Sequence, residues 1–145
     1  MSDAPTPDTV PLTLPVPDPF TASWWMACRE RRLLVRSCRS CGRLHFPPRP
    51  ACPSCWSNDV EWHQCAGTGL LYSFSIVREN DLAPFTTAVP YVPAVVELTE
   101  GPRLMTTIVD SALHALAVDA PVEVVFVDRG EWTFPTFRLA RRLVP

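Results

Sequence analysis

From Gly67 to the end of the chain, apolar and polar residues alternate with a period of two, with one interruption. Leu70, Tyr72, Phe74 and Ile76 alternate with Leu71, Ser73, Ser75 and Val77, the pattern of a strand whose two faces meet different surroundings. Tyr72 and Phe74, and Phe126 further on, fall on faces that read as internal. A loop from Arg78 to Pro90 carries two prolines and is expected outside any sheet. A second strand follows at Tyr91–Leu98, with Val92, Ala94, Val96 and Leu98 on one face, and the turn Thr99–Gly101 leads into a third at Arg103–Val109. Ser111–Leu116 reads as a short helix capped by Asp110 or Ser111. Strands resume at Val122–Asp128, turn at Arg129-Gly130 and end at Trp132–Leu139, where Pro135 fits an edge or a bulge. Five strands with one small helix between the third and fourth is the order of an OB-fold barrel, and closure explains why every strand alternates.

The first half of the chain follows other rules. Residues 1–19 hold six of the seventeen prolines and show no periodicity, which predicts an extended or disordered tail. Thr21 is expected to cap a helix running from Ala22 to Arg32, with Trp24, Trp25 and Cys28 on one side and arginines in the last turn, where they suit the helix dipole. Two adjacent tryptophans on three helical turns must pack on the rest of the molecule or be covered by another chain. Leu33–Arg36 then leads into a turn, Leu44–Phe46 returns from it, Pro47–Pro50 is a rigid approach to a second turn, and Val60–Gln64 leaves with strand-like alternation. The predicted organisation is a tail over 1–19, a helix and lead-in over 20–36, a ribbon over 37–65 and a barrel over 66–145. The fold class is mainly β.

The ribbon carries the strongest chemical signal. Cys38-Arg-Ser-Cys41 and Cys52-Pro-Ser-Cys55 are two C-x-x-C steps with ten residues between the inner cysteines. Each step is a tight turn that points both sulfurs the same way, so Cys38, Cys41, Cys52 and Cys55 can meet at the corners of a tetrahedron around zinc. Four thiolates fill that sphere and leave no position to activate water, which makes the expected zinc structural. His45 and His63 lie close by, but with four sulfurs present they read as surface or hydrogen-bonding strand residues. Cys28 and Cys65 have no C-x-x-C partner and read as small buried hydrophobes.

Charge divides the chain as the pattern does. Residues 1–19 carry three aspartates and no base; residues 20–65 carry seven arginines against Glu30, Asp59 and Glu61, a net of +4; residues 66–145 carry six arginines against nine acids, a net of −3. All thirteen basic residues are arginine, each a forked donor suited to phosphate or carboxylate. With an overall charge of −2, bulk nucleic-acid binding is not expected. No stretch approaches the ~20 apolar residues of a membrane span. The N-terminus MSDAPTPDTVPLTLPVP lacks the features of a secretory leader, so a reducing, cytoplasmic setting is expected, where such cysteine pairs favour metal over disulfide.

The helix with its two tryptophans precedes Cys41-Gly-Arg-Leu-His-Phe-Pro-Pro-Arg-Pro-Ala-Cys52-Pro-Ser-Cys55, then Trp62, Gly67-Thr-Gly-Leu-Leu-Tyr-Ser-Phe74 and Val92-Pro-Ala-Val-Val-Glu-Leu98. This combination closely resembles the zinc-ribbon/OB-fold proteins associated with acyl-CoA enzymes, a family long filed as a domain of unknown function, and the likeness runs from about Phe20 to Arg138. The resemblance implies a helical N-terminus, a rubredoxin-like zinc ribbon and an OB barrel. It further implies a non-catalytic accessory subunit that completes or stabilises a thiolase-fold or lipid-transfer-protein-like enzyme (a thiolase, an acyltransferase or a side-chain aldolase), with a hotdog-fold hydratase as a further partner and acyl-CoA as a ligand. The expected partner or CoA contacts are Trp24, Trp25, Arg32, Arg43 and Arg49. Two departures stand out: Trp56 follows the second C-P-x-C where the family usually has glycine, and Asp119-Ala-Pro-Val122 replaces a usual G-x-P-V.

Two other function classes compete. Ribbons and OB barrels both serve single-stranded nucleic-acid binders, which need a basic groove lined with aromatics; here the barrel segment is acidic. An independent enzyme would need a nucleophile with a base, or paired carboxylates, in a cleft. His114, on the short helix, reads as a packing or surface residue, and Glu97 and Glu100 read as solvated beside a turn. No catalytic residue is assigned.

Overall fold

The computed structural model describes residues 14–141, so the tail expected over 1–19 lies largely outside the described residues; Leu14–Asp18 have no regular secondary structure. Helix α1 spans Ala22–Arg29. It starts after Thr21, as expected, and Asp18 takes part in fixing that start: the Asp18 carboxylate accepts the Thr21 amide (2.6 Å), and the Thr21 hydroxyl accepts the Asp18 amide in return (3.2 Å). With Pro19 between them this is a capping box with proline in the first position of the turn. Thr21 itself makes no cap bond to α1. The helix also stops earlier than Arg32. Arg31 adopts φ +62°, its amide donates to the Cys28 carbonyl (2.9 Å) and the Arg32 amide to that of Ala27 (2.8 Å), a Schellman ending with arginine in the place glycine usually takes.

Three antiparallel strands follow, β1 (Leu34–Cys38), β2 (Leu44–His45) and β3 (Val60–Gln64), in the order β2-β1-β3. The chain then enters a closed five-stranded barrel: β4 (Thr68–Phe74), β5 (Val92–Leu98), β6 (Arg103–Ile108), β7 (Pro121–Arg129) and β8 (Trp132–Leu139), neighbouring in the order β4-β5-β6-β8-β7. β4 pairs with β7 to close one seam. The other seam, between β6 and β8, is parallel and bridged at the single position Ile108–Phe137. Pro135 lies on β8 beside this seam, and the Thr106 hydroxyl donates to the Pro135 carbonyl (3.0 Å). A side chain thus continues the joint where the backbone ladder stops.

Two details depart from the expected pattern. On β4 the register jumps between Leu71 and Ser73, opposite Val96 and Val95, so Tyr72 is the extra residue of a β-bulge. Strict alternation would put Tyr72 and Phe74 on one face. Leu71 is fully buried, so Tyr72 after it points outward and is 44% exposed, and the bulge then brings Phe74 back onto the core. The predicted helix at Ser111–Leu116 is a single 3-10 turn, Leu113–Ala115, with extended backbone on both sides. Six residues are too few to offset helix nucleation, and Ser111 is engaged elsewhere: its hydroxyl donates to the Val109 carbonyl and accepts the Leu139 amide, both at 2.9 Å.

The inward faces of the strands behave as read. Val92, Ala94, Val96 and Leu98 are all buried, and they join Leu71, Leu104, Ile108, Val122 and Phe137 in one core. That core continues into Trp24, Ala27, Cys28, Leu33, Leu34, Val35 and Cys65, so helix, ribbon and barrel share one apolar interior. The Trp24 indole donates to the Leu34 carbonyl (3.0 Å), fixing the helix on β1. Trp25 meets Trp132 and Phe134 of β8 edge-on, with ring centroids 5.1 and 5.6 Å away. Arg31 reaches Asp128 of β7 at 2.6 Å.

Candidate metal centre and the aromatic groove beside it

β1 ends in the first cysteine step, and the second lies in the loop between β2 and β3. Both steps are built alike. The Gly42 amide donates to the Cys38 carbonyl (2.8 Å) and the Trp56 amide to that of Cys52 (2.9 Å); the next turn of each is closed by Cys38 N–H to Arg43 and Cys52 N–H to Ser57, both at 2.9 Å. The two loops face one another through a 2.7 Å contact between the Ser40 and Ser57 hydroxyls. Four sulfurs converge as a result: all lie within 4.8 Å of one another, with Cys38–Cys55 at 3.6 Å and Cys41–Cys52 at 3.7 Å. Sulfurs about 2.3 Å from one tetrahedral zinc would be about 3.8 Å apart, so the spacing fits. It is far beyond the roughly 2.05 Å of a disulfide. Cys38 and Cys52 are buried and Cys41 and Cys55 exposed, so the centre sits at the surface with one side closed. Burial opposes ionisation of Cys52, but the amides of Cys55 and Ser54 outweigh it and bring the thiol down to about 6. The Ser54 amide points at the Cys52 Sγ from 3.4 Å. Among the described residues this is the one cluster with such a donor set.

The duplication exposes the chain's odd residue. Gly42 takes φ +75° in the first loop, and Trp56 takes φ +63° in the second. A side chain in this region costs about 1 kcal/mol or more. Asp119, at the other departure from the family pattern, also adopts a left-handed φ of +66°.

A groove of about 420 Å³ is lined by residues of α1, the ribbon and the barrel. Trp25, Phe46 and Pro48 form one wall, and Met105 and Phe134 the other, with Arg129 among its lining residues. Of the five expected contact residues, Trp24 is 8% exposed and hydrogen-bonded inside, so it belongs to the core and supports Trp25. Trp25 lines the groove. Arg32 is drawn onto Glu30, and Arg43 and Arg49 stand exposed on the ribbon.

Several residues act differently from their sequence reading. Arg36 is buried; its guanidinium lies over Phe20 (4.9 Å) and Trp62 (4.5 Å) and donates to the Val60 carbonyl (3.2 Å). Burial lowers its pKa. His45, expected at the surface or in a hydrogen bond, is buried with both ring nitrogens unpartnered. Glu100 is not solvated: it accepts the Ala66 amide (2.7 Å) at the passage from ribbon to barrel. Burial, and then Glu100 itself, push the Cys65 thiol up to about 12, and burial alone does the same to Cys28, so both are inert packing residues. Cross-strand register would reveal Arg36 opposite His45 and Trp62, but register is not visible in a single strand's pattern.

Known proteins share this arrangement. The domain model described as "ChsH2, rubredoxin-like zinc ribbon domain" matches residues 25–61, and "ChsH2, C-terminal OB-fold domain" matches residues 62–127. The solved structure of an Ltp2-ChsH2(DUF35) aldolase contains a chain that superposes with a TM-score of 0.78 and 37% identity, covering 87% of this chain and 98% of that one. A "DUF35 domain-containing scaffold protein" of Methanocaldococcus jannaschii is 34% identical over 113 residues, which are 75% of this chain and 78% of the relative. A "Probable enoyl-CoA hydratase alpha subunit" of Thermomonospora curvata is 39% identical over 120 residues, 82% of this chain; this chain spans only 37% of that relative's length.

Proposed function

This chain belongs to the DUF35 family of ChsH2-like zinc-ribbon and OB-fold proteins, and from that premise we propose that it is a non-catalytic accessory subunit that binds and completes a thiolase-fold acyl-CoA enzyme. The observation that carries the reading is its likeness, along nearly the whole of the matched chain, to a component of the Ltp2-ChsH2(DUF35) aldolase. A hotdog-fold hydratase is the second partner type, favoured by the hydratase subunit among its relatives.

Cys38, Cys41, Cys52 and Cys55 would hold one zinc ion, and with four thiolates around it the ion would serve to tie β1 to the loop before β3. Leu34 and Val35 of β1 pack with Trp24, Ala27 and Cys28 of α1, and a reducing setting would keep all four metal-site thiols available. The groove edged by Trp25, with Arg43 and Arg49 on the adjoining ribbon, forms the surface for the partner and its acyl-CoA. Arginine suits either ligand, since its fork matches carboxylate and phosphate alike. The nucleic-acid reading loses support on the barrel: exposed Tyr72 has its ring covered by the Arg103 guanidinium at 3.7 Å, and Arg103 is itself paired with Glu97.

Co-expression with each thiolase-fold enzyme encoded in the same genome tests the proposal. One of them is expected to co-elute with this chain as a stoichiometric complex and to gain acyl-CoA turnover, while the isolated chain turns over none. Separate elution from every such enzyme, with their activities unchanged, would overturn it.

A further inference from the structure

The ribbon exposes an aromatic residue where the backbone would favour none. Trp56 sits at φ +63° in the position that its twin loop fills with Gly42, and it is 81% exposed. No ring of the described residues stacks on it, unlike Trp24, Trp25, Trp62 and Trp132, each of which packs on another aromatic. Both the strained backbone and the bare indole disfavour tryptophan in the isolated chain. An outlier of this kind in an otherwise duplicated loop is the sort of strain that marks a contact site.

Its surroundings define what it meets. Trp56 forms a hollow of about 310 Å³ with Arg49, Pro50, Ala51, Cys52 and Pro53. Two prolines and the closed cysteine loop hold this wall rigid, so little freedom is lost when something seats there. The charge around it is unbalanced. All three carboxylates of residues 20–65 are used internally, Glu30 by Arg32, and Asp59 and Glu61 by Arg39. Arg31 is paired with Asp128 and Arg36 is buried. Arg29, Arg43 and Arg49 remain exposed with no carboxylate within ion-pair distance among the described residues. Two of the three flank the cysteine loops. Pro48, next to Arg49 in the chain, lines the groove beside Trp25.

We infer that Trp56 is an aromatic anchor that inserts into an apolar socket on an acidic face of a protein partner, with Arg49 meeting the carboxylates at its rim. Tryptophan and arginine are the residue types that dominate such contacts, and a fully desolvated indole at the centre of a charged rim is their usual arrangement. The inference rests on the proposed function for the identity of the partner: the socket belongs to the thiolase-fold subunit.

The test uses the full chain, zinc-loaded, titrated calorimetrically against the thiolase-fold enzyme that co-elutes with it. Trp56→Gly and Trp56→Asn both suit the left-handed backbone, so zinc content is expected to stay at one per chain and the melting temperature of Trp56→Gly to equal or exceed that of the natural chain. Both variants are expected to bind the enzyme at least fivefold more weakly, and Arg49→Glu to do the same. A loss of less than fivefold in both Trp56 variants overturns the anchor while leaving the subunit role intact. If the natural chain binds no thiolase-fold enzyme, the proposed function fails and the anchor with it. A labelled single-stranded oligonucleotide that binds the natural chain but not Trp56→Gly would also overturn the inference, by assigning the indole to base stacking.

Discussion

Arg36 and His45 stand directly opposite each other across β1 and β2, and each is more than nine-tenths buried. Arg36 Nε and both ring nitrogens of His45 have no hydrogen-bond partner. Burial is the main cause that lowers the His45 pKa below its ordinary 6.5; the Arg49 backbone opposes it, and the nearby Arg36 and Arg49 charges add to it. The folded protein therefore keeps His45 neutral at a pH where the unfolded chain already binds a proton. By linkage, stability is full above about 6.5 and falls as the pH drops from there towards the folded pKa, by at most about 1.4 kcal/mol per pH unit. His45→Leu is expected to remove this part of the acid sensitivity. It should cost nothing at pH 7.5, because no hydrogen bond is lost. Thermal unfolding at pH 5 and 7.5 decides it; an unchanged difference between the two would exclude His45 as its source.

Cys52 is fully buried and its sulfur lies 3.7 Å from that of Cys41. Replacing it with serine removes one of four metal bonds, and a structural zinc of this kind contributes on the order of 10 kcal/mol to folding. Cys52→Ser is expected to lose zinc and collapse the exchange protection of β1–β3. The β4–β8 amides, tied by their own ladders, should keep theirs. Hydrogen exchange with metal analysis reads both parts at once. A zinc-free variant with native protection in β1 would mean that the apolar packing alone holds the ribbon.

Gly69 lies near the start of β4, opposite Leu98 of β5. A Cβ there would run into the Glu97 carbonyl and crowd Val96 Cγ1 at 3.0 Å. A backbone atom cannot rotate away, so Gly69→Ala is expected to destabilise the fold by about 3 kcal/mol, a typical upper cost of overpacking. Gly130→Ala is the control: nothing lies within 4 Å of its added Cβ, and its cost is limited to the left-handed φ of +60°. Urea midpoints that rank Gly130→Ala below Gly69→Ala would contradict this account.

The elements were largely legible in the sequence because each rests on local signals. The five barrel strands, the buried face of Val92–Leu98 and the two cysteine steps all follow from spacing alone. What escaped depends on long-range register. The bulge that separates exposed Tyr72 from Phe74 on the core is visible only in the register of β4 against β5. The burial of Arg36 needs both Phe20 and Trp62, which lie sixteen residues before it and twenty-six after it. The helix start at Ala22 is legible, but its cap chemistry is not read from Thr21 alone: Asp18-Pro-Phe-Thr21 is a complete capping box in which Thr21 works with its aspartate partner. Ser111 shows the opposite error, a residue with a good local capping signal whose hydroxyl is recruited by Leu139, twenty-eight residues away.

Trp25 joins the two halves of the molecule. Its ring meets Trp24 at 4.8 Å, Trp132 at 5.1 Å and Phe134 at 5.6 Å, all edge-to-face, so one side chain bridges α1 to β8. A fully buried tryptophan replaced by alanine costs roughly 3–5 kcal/mol, and each such aromatic pair about 0.5–1.5 kcal/mol beyond area. Trp25 is half-buried, which places Trp25→Ala near the lower figure, about 3 kcal/mol. Trp25→Phe keeps an apolar ring with an edge to offer and is expected to lose no more than about 1 kcal/mol. The loss should be felt at the helix–barrel contact rather than uniformly, because Trp24 still ties α1 to β1 through the Leu34 carbonyl. The Arg31–Asp128 pair, mostly exposed, adds little that would compensate. Denaturant unfolding followed by near-ultraviolet dichroism of the tryptophans, alongside hydrogen exchange of β8, separates the two effects. Equal destabilisation of β1 and β8 amides in Trp25→Ala would show that helix, ribbon and barrel unfold as a single unit, and that Trp25 is one core residue among many rather than the joint between them.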